Sequence, residues 1–153
     1  MPVALICEKL HAVVIGAGAV GTRKARTLLD GGARVTVISI TATDEIIELS
    51  RTSSSLTLEL RPYAGKGDLA SCNLVIAATE SVETNRSIAS DAASLHRLVS
   101  LVNAPLEGSF TSMAIHRHEN LTVGVAAGRA PREAVRVRDA IAERFHEIAG
   151  ESR

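Results

Sequence analysis

Tryptophan is absent from this chain of 153 residues, and one tyrosine and two phenylalanines make up the rest of its aromatic complement. Single-stranded nucleic acid is held on aromatic stacking faces, so that class of partner drops out. A surplus of either charge is also missing: 17 Lys plus Arg balance 17 Asp plus Glu, leaving no global field toward nucleic acid or an anionic membrane surface. Cysteine is scarce. Cys7 and Cys72 are too few for a disulfide framework and lack metal-ligand spacing, and both read as small buried apolar residues of a chain kept in a reducing compartment, the cytoplasm. No apolar run reaches the roughly 18 residues that span a bilayer, and the opening MPVALICEKLH has neither the basic nor the apolar region of a signal peptide.

What remains is a globular composition, 46% hydrophobic and 22% charged, of a length that fits one domain with a small appendage. Short β-branched runs at His11–Ile15, Arg34–Ile38 and Leu74–Ala78, with Leu98–Val102, read as strands buried on both faces, and the alternation Leu56–Leu60 reads as a more exposed strand. Helical spacing occupies Val20–Leu29, where Val20, Ala25, Leu28 and Leu29 share a face, and also Asp44–Leu49 and Glu83–Leu95. Gly31-Gly32 ends the first helix, and Thr52–Ser55 and Ala64–Gly67 read as loops. Strands alternating with helices imply right-handed crossovers and a parallel sheet, so the fold class is α/β, a Rossmann-like doubly wound sheet over residues 1–112. Residues 113–153 break the pattern. A lone strand, Leu121–Val125, precedes a helix from Pro131 to Ile148 with its stripe at Ala134, Val135, Val137, Ile141, Phe145 and Ile148, a short strand-helix dimerisation segment expected either to extend the sheet or to pack on a second subunit.

The glycines Gly16, Gly18 and Gly21 stand between the first strand and the first helix. Gly-x-Gly-x-x-Gly in that context is the dinucleotide fingerprint: Gly16 for the turn, Gly18 for backbone approach to a pyrophosphate, Gly21 for helix–strand packing. The helix N-terminus would face the phosphates. Where an acid usually accepts the ribose hydroxyls, about 20 positions on, the chain has Ser39, followed by Ile40 and Thr41 and no arginine for a 2′-phosphate, which favours NAD over NADP.

The stretches GAGAVGTRKARTLLDGGARVTVIS, NLVIAATESVETN, LVNAPLEGSF and LTVGVAAGRAP resemble, in this order from Glu8 to Phe145, the precorrin-2 dehydrogenase family, which includes the N-terminal part of siroheme synthase. The specific elements are Arg23-Lys24 after the third glycine, Ala77-Ala78-Thr79 and Asn85. The resemblance implies oxidation of precorrin-2 to sirohydrochlorin in siroheme biosynthesis, with a hydride passing to NAD⁺ and a proton leaving the macrocycle; some members also insert ferrous iron. It implies homodimers, a small C-terminal helical domain that these 153 residues do not include, and cofactor contacts at Gly16, Gly18, Ala19, Val20, Gly21, Ser39, Ile40, Thr41, Ala78 and Thr79.

The departures from that family are concentrated after the fifth strand. Its aspartate, the proposed base and metal-handling group, is here Asn103, whose amide has no basic lone pair and is a weak ligand for iron. Dehydrogenation is expected to survive, because the cofactor carries the hydride chemistry, with weak or no iron insertion. A non-catalytic tetrapyrrole- or nucleotide-binding module and a bifunctional dehydrogenase/ferrochelatase are the alternatives. Arg117, Arg129 and Arg132, with Arg136 and Arg138 nearby, are candidates for the substrate's carboxylates or simply a solvated helix face. Arg23 and Lys24 sit where a helix dipole prefers an anion, which hints at a bound polyanion. His116 and His118 make a metal-like pair without a third ligand and read as surface or interface residues, and no metal site is expected.

Overall fold

The computed structural model describes residues 3–128, 130–145 and 147, in two units, Met1–Thr111 and Ser112–Arg153. In the first, a 3-10 turn (Cys7–Lys9) leads into β1 (His11–Ala17), α1 (Ala19–Asp30), β2 (Arg34–Ala42), α2 (Asp44–Thr52), β3 (Leu56–Leu60), a 3-10 turn (Lys66–Leu69), β4 (Leu74–Ala77), α3 (Val82–Ser94), β5 (Leu98–Leu101) and a 3-10 turn (Pro105–Glu107). The strands are all parallel, in the order β3-β2-β1-β4-β5. Successive side chains of a strand point to opposite faces, so the unbroken apolar runs fill two cores at once. Ala12, Val14, Val35, Val37, Leu74 and Ile76 meet Ala25 of α1 and Ile46 of α2 on one side, while Val13, Ile15, Ile38, Val75 and Ala77 meet Ile88 and Ala92 of α3 on the other.

Helix starts are set by side chains that satisfy the free backbone N–H groups of a first turn. Thr43 accepts from the Ile46 N–H and starts α2; Ser81 accepts from the Thr84 N–H and starts α3. At the end of α1, Gly32 takes φ +88° and the Ala33 N–H bonds back to the Leu28 carbonyl at 3.0 Å, the left-handed closure that Gly31-Gly32 announces.

Several boundaries differ from the sequence reading. β2 runs on to Ala42, because after an irregularity between Ile15 and Ala17 the pairing resumes at Ala17↔Ala42. Ile40 and Thr41 are exposed and leave no burial periodicity to read. α2 continues through Thr52, its polar end held by hydroxyls of Ser50 and Thr52 that donate to the Ile47 and Glu48 carbonyls. Lys66 and Gly67 are wound into the 3-10 turn rather than looped. Leu98 is exposed because β5 is an edge strand. Cys72 is buried as expected, and burial pushes its thiol up; Cys7 is only partly covered.

The second unit holds a β-hairpin, not a lone strand: β6 (Ala114–His118) pairs antiparallel with β7 (Leu121–Val125), followed by α4 (Pro131–Glu143). The polar run His116-Arg117-His118 concealed β6. Ala134 and Phe145 are buried, Val135 is exposed and so leaves the expected stripe, and Ile148 lies outside the described residues.

The connection after β3 is fastened by Asp68, whose carboxylate accepts two bonds from Arg61 at 2.9 and 2.8 Å and one from the Ala64 N–H at 2.8 Å. The Arg61 bonds, above all, hold its carboxyl below the ordinary 3.8. A lowered carboxyl stabilises the fold above the unfolded-state value and loses that contribution as pH falls through the folded-state value. Asp68→Asn is expected to lower Tm by a few degrees at neutral pH. Thermal scans across pH check this: the gap from wild type holds above the ordinary 3.8 and closes below it.

Candidate active site

The order β3-β2-β1-β4-β5 reverses the winding direction between β1 and β4, and the crevice outside their carboxyl ends is where doubly wound sheets bind ligands. The glycine loop occupies that point. Gly16 adopts φ +101°, and a Cβ there would lie 2.5 Å from the Ala78 carbonyl oxygen. A Cβ on Gly21 would overlap the carbonyl oxygen of Gly16. Both glycines are therefore required by the chain's own packing. Gly18 is not: it has ordinary extended backbone, and a Cβ on it would meet nothing within 4 Å.

Gly18 is also the N-cap of α1, and here the capping found at α2 and α3 is missing. No side chain caps α1 and no acid stands in its first turn. An uncapped 12-residue helix beside open space at a glycine suits an anion with a narrow backbone approach, which is the shape and charge of a pyrophosphate. The residues present thus fit a dinucleotide.

The loop is held from below. The Ala17 N–H donates to Ser39 Oγ at 3.1 Å, and its carbonyl accepts from the Thr43 N–H at 3.2 Å and the Thr22 hydroxyl at 3.3 Å. Thr22 and Thr43 are joined at 2.8 Å. Ser39, assigned to the ribose from sequence, therefore braces the glycine loop with its oxygen while keeping a hydroxyl proton to donate. Ile40, 74% exposed, and Val20 on the first turn of α1 give the rim apolar surface. Val20 thereby leaves the buried face assigned to it, where Gly21 and Thr22 join the expected Ala25. Lys24, partly buried, has its ammonium value lowered first by desolvation and then by Arg23.

Across the crevice, Ala78 follows β4, its N–H bonded to the Ile15 carbonyl. Asn85, completely buried in α3, ties Thr79 to Asn103, the loop after β4 to the loop after β5. Arg86 grips Glu107 through two bonds of 2.7 Å, and Ser109 bonds the backbone of Val99, so the segment after Asn103 is fixed on its C-terminal side. Sequence reasoning noted Asn85 only as a family mark; its signal was an amide at an otherwise apolar position of the helix, beside Ile88 and Ala92.

The second unit carries the other candidates. Arg117 and Arg132 are exposed there, and Arg129 lies outside the described residues. Arg136 pairs with Glu133, while Arg138 bonds Asp139 and the Ile115 carbonyl, joining α4 to β6. His116 and His118 both lie against the Phe145 ring, at centroid distances of 5.0 and 5.1 Å, which gives them a packing role. Among the described residues, no three His, Cys, Asp or Glu side chains are grouped to hold a metal, and no helix is long and apolar enough to cross a membrane. Asp91 accepts from the Tyr63 hydroxyl at 3.0 Å, and His11 is bonded to Thr36 and Ser71 at the opposite end of β1 from the glycine loop.

A parallel sheet in this order, with this loop at its switch point, defines a Rossmann-type dinucleotide-binding protein. Residues 3–114 match the model of a family described as NAD(P)-binding (NAD_binding_7), and the chain belongs to that family. Among curated proteins, it is 34% identical over 118 residues to the siroheme synthase of Pseudomonas putida (strain W619), covering 77% of this chain and 25% of that one. Siroheme synthase 2 of Aeromonas salmonicida (strain A449) is 33% identical over 132 residues, 86% of this chain and 27% of the relative. The chain thus spans about a quarter of the length of these relatives. Among solved structures, SirC, a precorrin-2 dehydrogenase, superposes with a TM-score of 0.81 at 22% identity, over 94% of this chain and 70% of that one, a likeness of fold.

Proposed function

We propose that this chain is an NAD-dependent precorrin-2 dehydrogenase, forming sirohydrochlorin on the route to siroheme. The observation that carries the reading is the open space at Gly18 beside the uncapped start of α1, in a chain whose sequence relatives are siroheme synthases. Gly16, Gly18, Ala19, Val20 and Gly21 would hold the pyrophosphate, Ser39, Ile40 and Thr41 the adenosine half, and Ala78 and Thr79 the opposite wall. NAD⁺, when bound, supplies the hydride acceptor. Ser39 retains a hydroxyl for a ribose and no arginine stands beside it for a 2′-phosphate, which supports NAD over NADP.

Asn103 cannot take the proton that the macrocycle loses, so that proton passes to an acceptor other than residue 103. Lacking a carboxylate there, the chain inserts ferrous iron weakly or not at all. Arg117, Arg129 and Arg132 serve the substrate's carboxylates, and the enzyme works in the cytoplasm. NADH formation from precorrin-2 and NAD⁺ without oxygen tests the assignment. The same Asn103 supports a second reading, a binding module without turnover, which would bind NAD⁺ and the tetrapyrrole with no absorbance change over hours.

Residues 113–153 are the proposed dimerisation segment, because a two-stranded hairpin and one helix are too small to bury both their faces alone. Light scattering is expected to return the mass of two chains; a monomer refutes the pairing.

A further inference from the structure

Asn85 uses every hydrogen-bonding position it has. Its Oδ1 accepts from the Thr79 N–H at 3.1 Å and the Thr79 hydroxyl at 2.7 Å, and its Nδ2 donates to the Thr79 carbonyl at 3.0 Å and to Asn103 Oδ1 at 3.0 Å. The orientation of this amide is not a free choice. A backbone N–H only donates and a carbonyl only accepts, so the two Thr79 groups dictate which end of Asn85 is which. The end facing residue 103 is therefore a donor, and Asn103 must answer with its oxygen.

That pairing turns the Asn103 NH₂ group away from Asn85. Asn103 is exposed beyond the carboxyl end of β5, and among the described residues its Nδ2 has no hydrogen-bond partner. The segment on its C-terminal side is clamped by Arg86–Glu107 and by Ser109 on Val99, so the NH₂ group is aimed rather than loose. An amide pinned by its oxygen accepts no proton, but it is a fixed donor for an oxygen atom.

We propose that Asn85 is a positioning residue that makes Asn103 a hydrogen-bond donor to a ligand oxygen, so that position 103 binds ligand instead of abstracting a proton. The identity of that oxygen rests on the dehydrogenase reading: a carboxylate of the tetrapyrrole, or the carboxamide of the nicotinamide. Both are acceptors of the same kind, and they are separated by which binding constant responds.

The test measures kcat and KM for precorrin-2, Kd for NADH and for sirohydrochlorin, and Tm, for wild type, Asn103→Leu, Asn103→Asp, Asn85→Ala and the double variant Asn85→Ala/Asn103→Leu. Asn103→Leu is expected to leave kcat within about threefold and to weaken binding about tenfold, the effect of losing one directed donor. A raised KM and sirohydrochlorin Kd mark the carboxylate; a raised NADH Kd marks the carboxamide. Asn103→Asp keeps the bond from Asn85 and the wild-type Tm, yet offers an oxygen to an oxygen, so the same constant rises at least as far. Asn85→Ala shifts that constant in the same direction, and the double variant binds no worse than the poorer single variant, the signature of two residues acting through one contact. If Asn85→Ala fails to fold, the near-isosteric Asn85→Asp, which replaces both donors with an acceptor oxygen at this buried position, is used in its place.

Constants within twofold of wild type in Asn103→Leu and Asn103→Asp, or strictly additive losses in the double variant, overturn the proposal. So does a wild-type chain that binds neither NADH nor sirohydrochlorin. If wild type binds both and forms no NADH from precorrin-2, the dehydrogenase reading falls by itself, and the two Kd values still decide the donor.

Discussion

Gly21→Ala is expected to abolish NAD⁺ binding by collapsing the loop, and Gly18→Ala to weaken it tenfold or more with the fold intact. At Gly21 the added methyl would overlap the Gly16 carbonyl oxygen, a backbone atom of a turn that is itself at φ +101° and pressed against Ala78. No side chain can swing aside to make room. Overpacking of this kind costs about 3 kcal/mol or more, a large share of the roughly 5–15 kcal/mol that keeps a domain folded. At Gly18 the methyl meets no protein atom within 4 Å, and the backbone there suits any residue. Stability is expected to change by less than about 1 kcal/mol, the scale of an N-cap substitution, while NAD⁺ affinity falls tenfold or more because the methyl fills the space the pyrophosphate needs. Thermal scans and NADH titrations on the two variants separate the outcomes. A stable Gly18→Ala that binds NADH as tightly as wild type would show that the cradle is only a turn.

Asn103→Asp is the second large effect, a gain. Asn85 already presents an Nδ2 donor to this position, and a carboxylate accepts that bond as readily as an amide oxygen, at an exposed site with no packing to disturb. The variant acquires a group that can accept a proton and ligate ferrous iron. At saturating sirohydrochlorin and ferrous iron, conversion to siroheme is expected to rise at least tenfold over wild type, with dehydrogenation at saturating precorrin-2 and NAD⁺ retained. Iron insertion unchanged from wild type would contradict the role assigned to the missing carboxylate.

The central sheet was legible because a strand buried on both faces needs β-branched residues without interruption, and His11–Ile15, Arg34–Ile38 and Leu74–Ala78 have them. The glycine loop was legible too, although sequence could not separate the two glycines that the chain needs for itself from the one that leaves room for a ligand. What escaped was structure held by polar groups. The end of β2 is paired but exposed, β6 reads as His-Arg-His, and the end of α2 is finished by hydroxyls, none of which marks an apolar period. The same holds for the site. The spacing places Ser39 at a ribose but does not show the bond its oxygen accepts from the Ala17 N–H, which depends on how β1 and β2 lie side by side. Asn85 and Asn103 are 18 positions apart and meet only because α3 and β5 bring them together.

The most direct measurement follows NADH and sirohydrochlorin together when the purified chain is mixed with precorrin-2 and NAD⁺ in the absence of oxygen. The account predicts that both products appear at equal rates, that NADP⁺ supports the reaction poorly, and that Gly18→Ala slows it tenfold or more at NAD⁺ below saturation. A wild-type chain that binds NADH and sirohydrochlorin yet forms no NADH from precorrin-2 would contradict it.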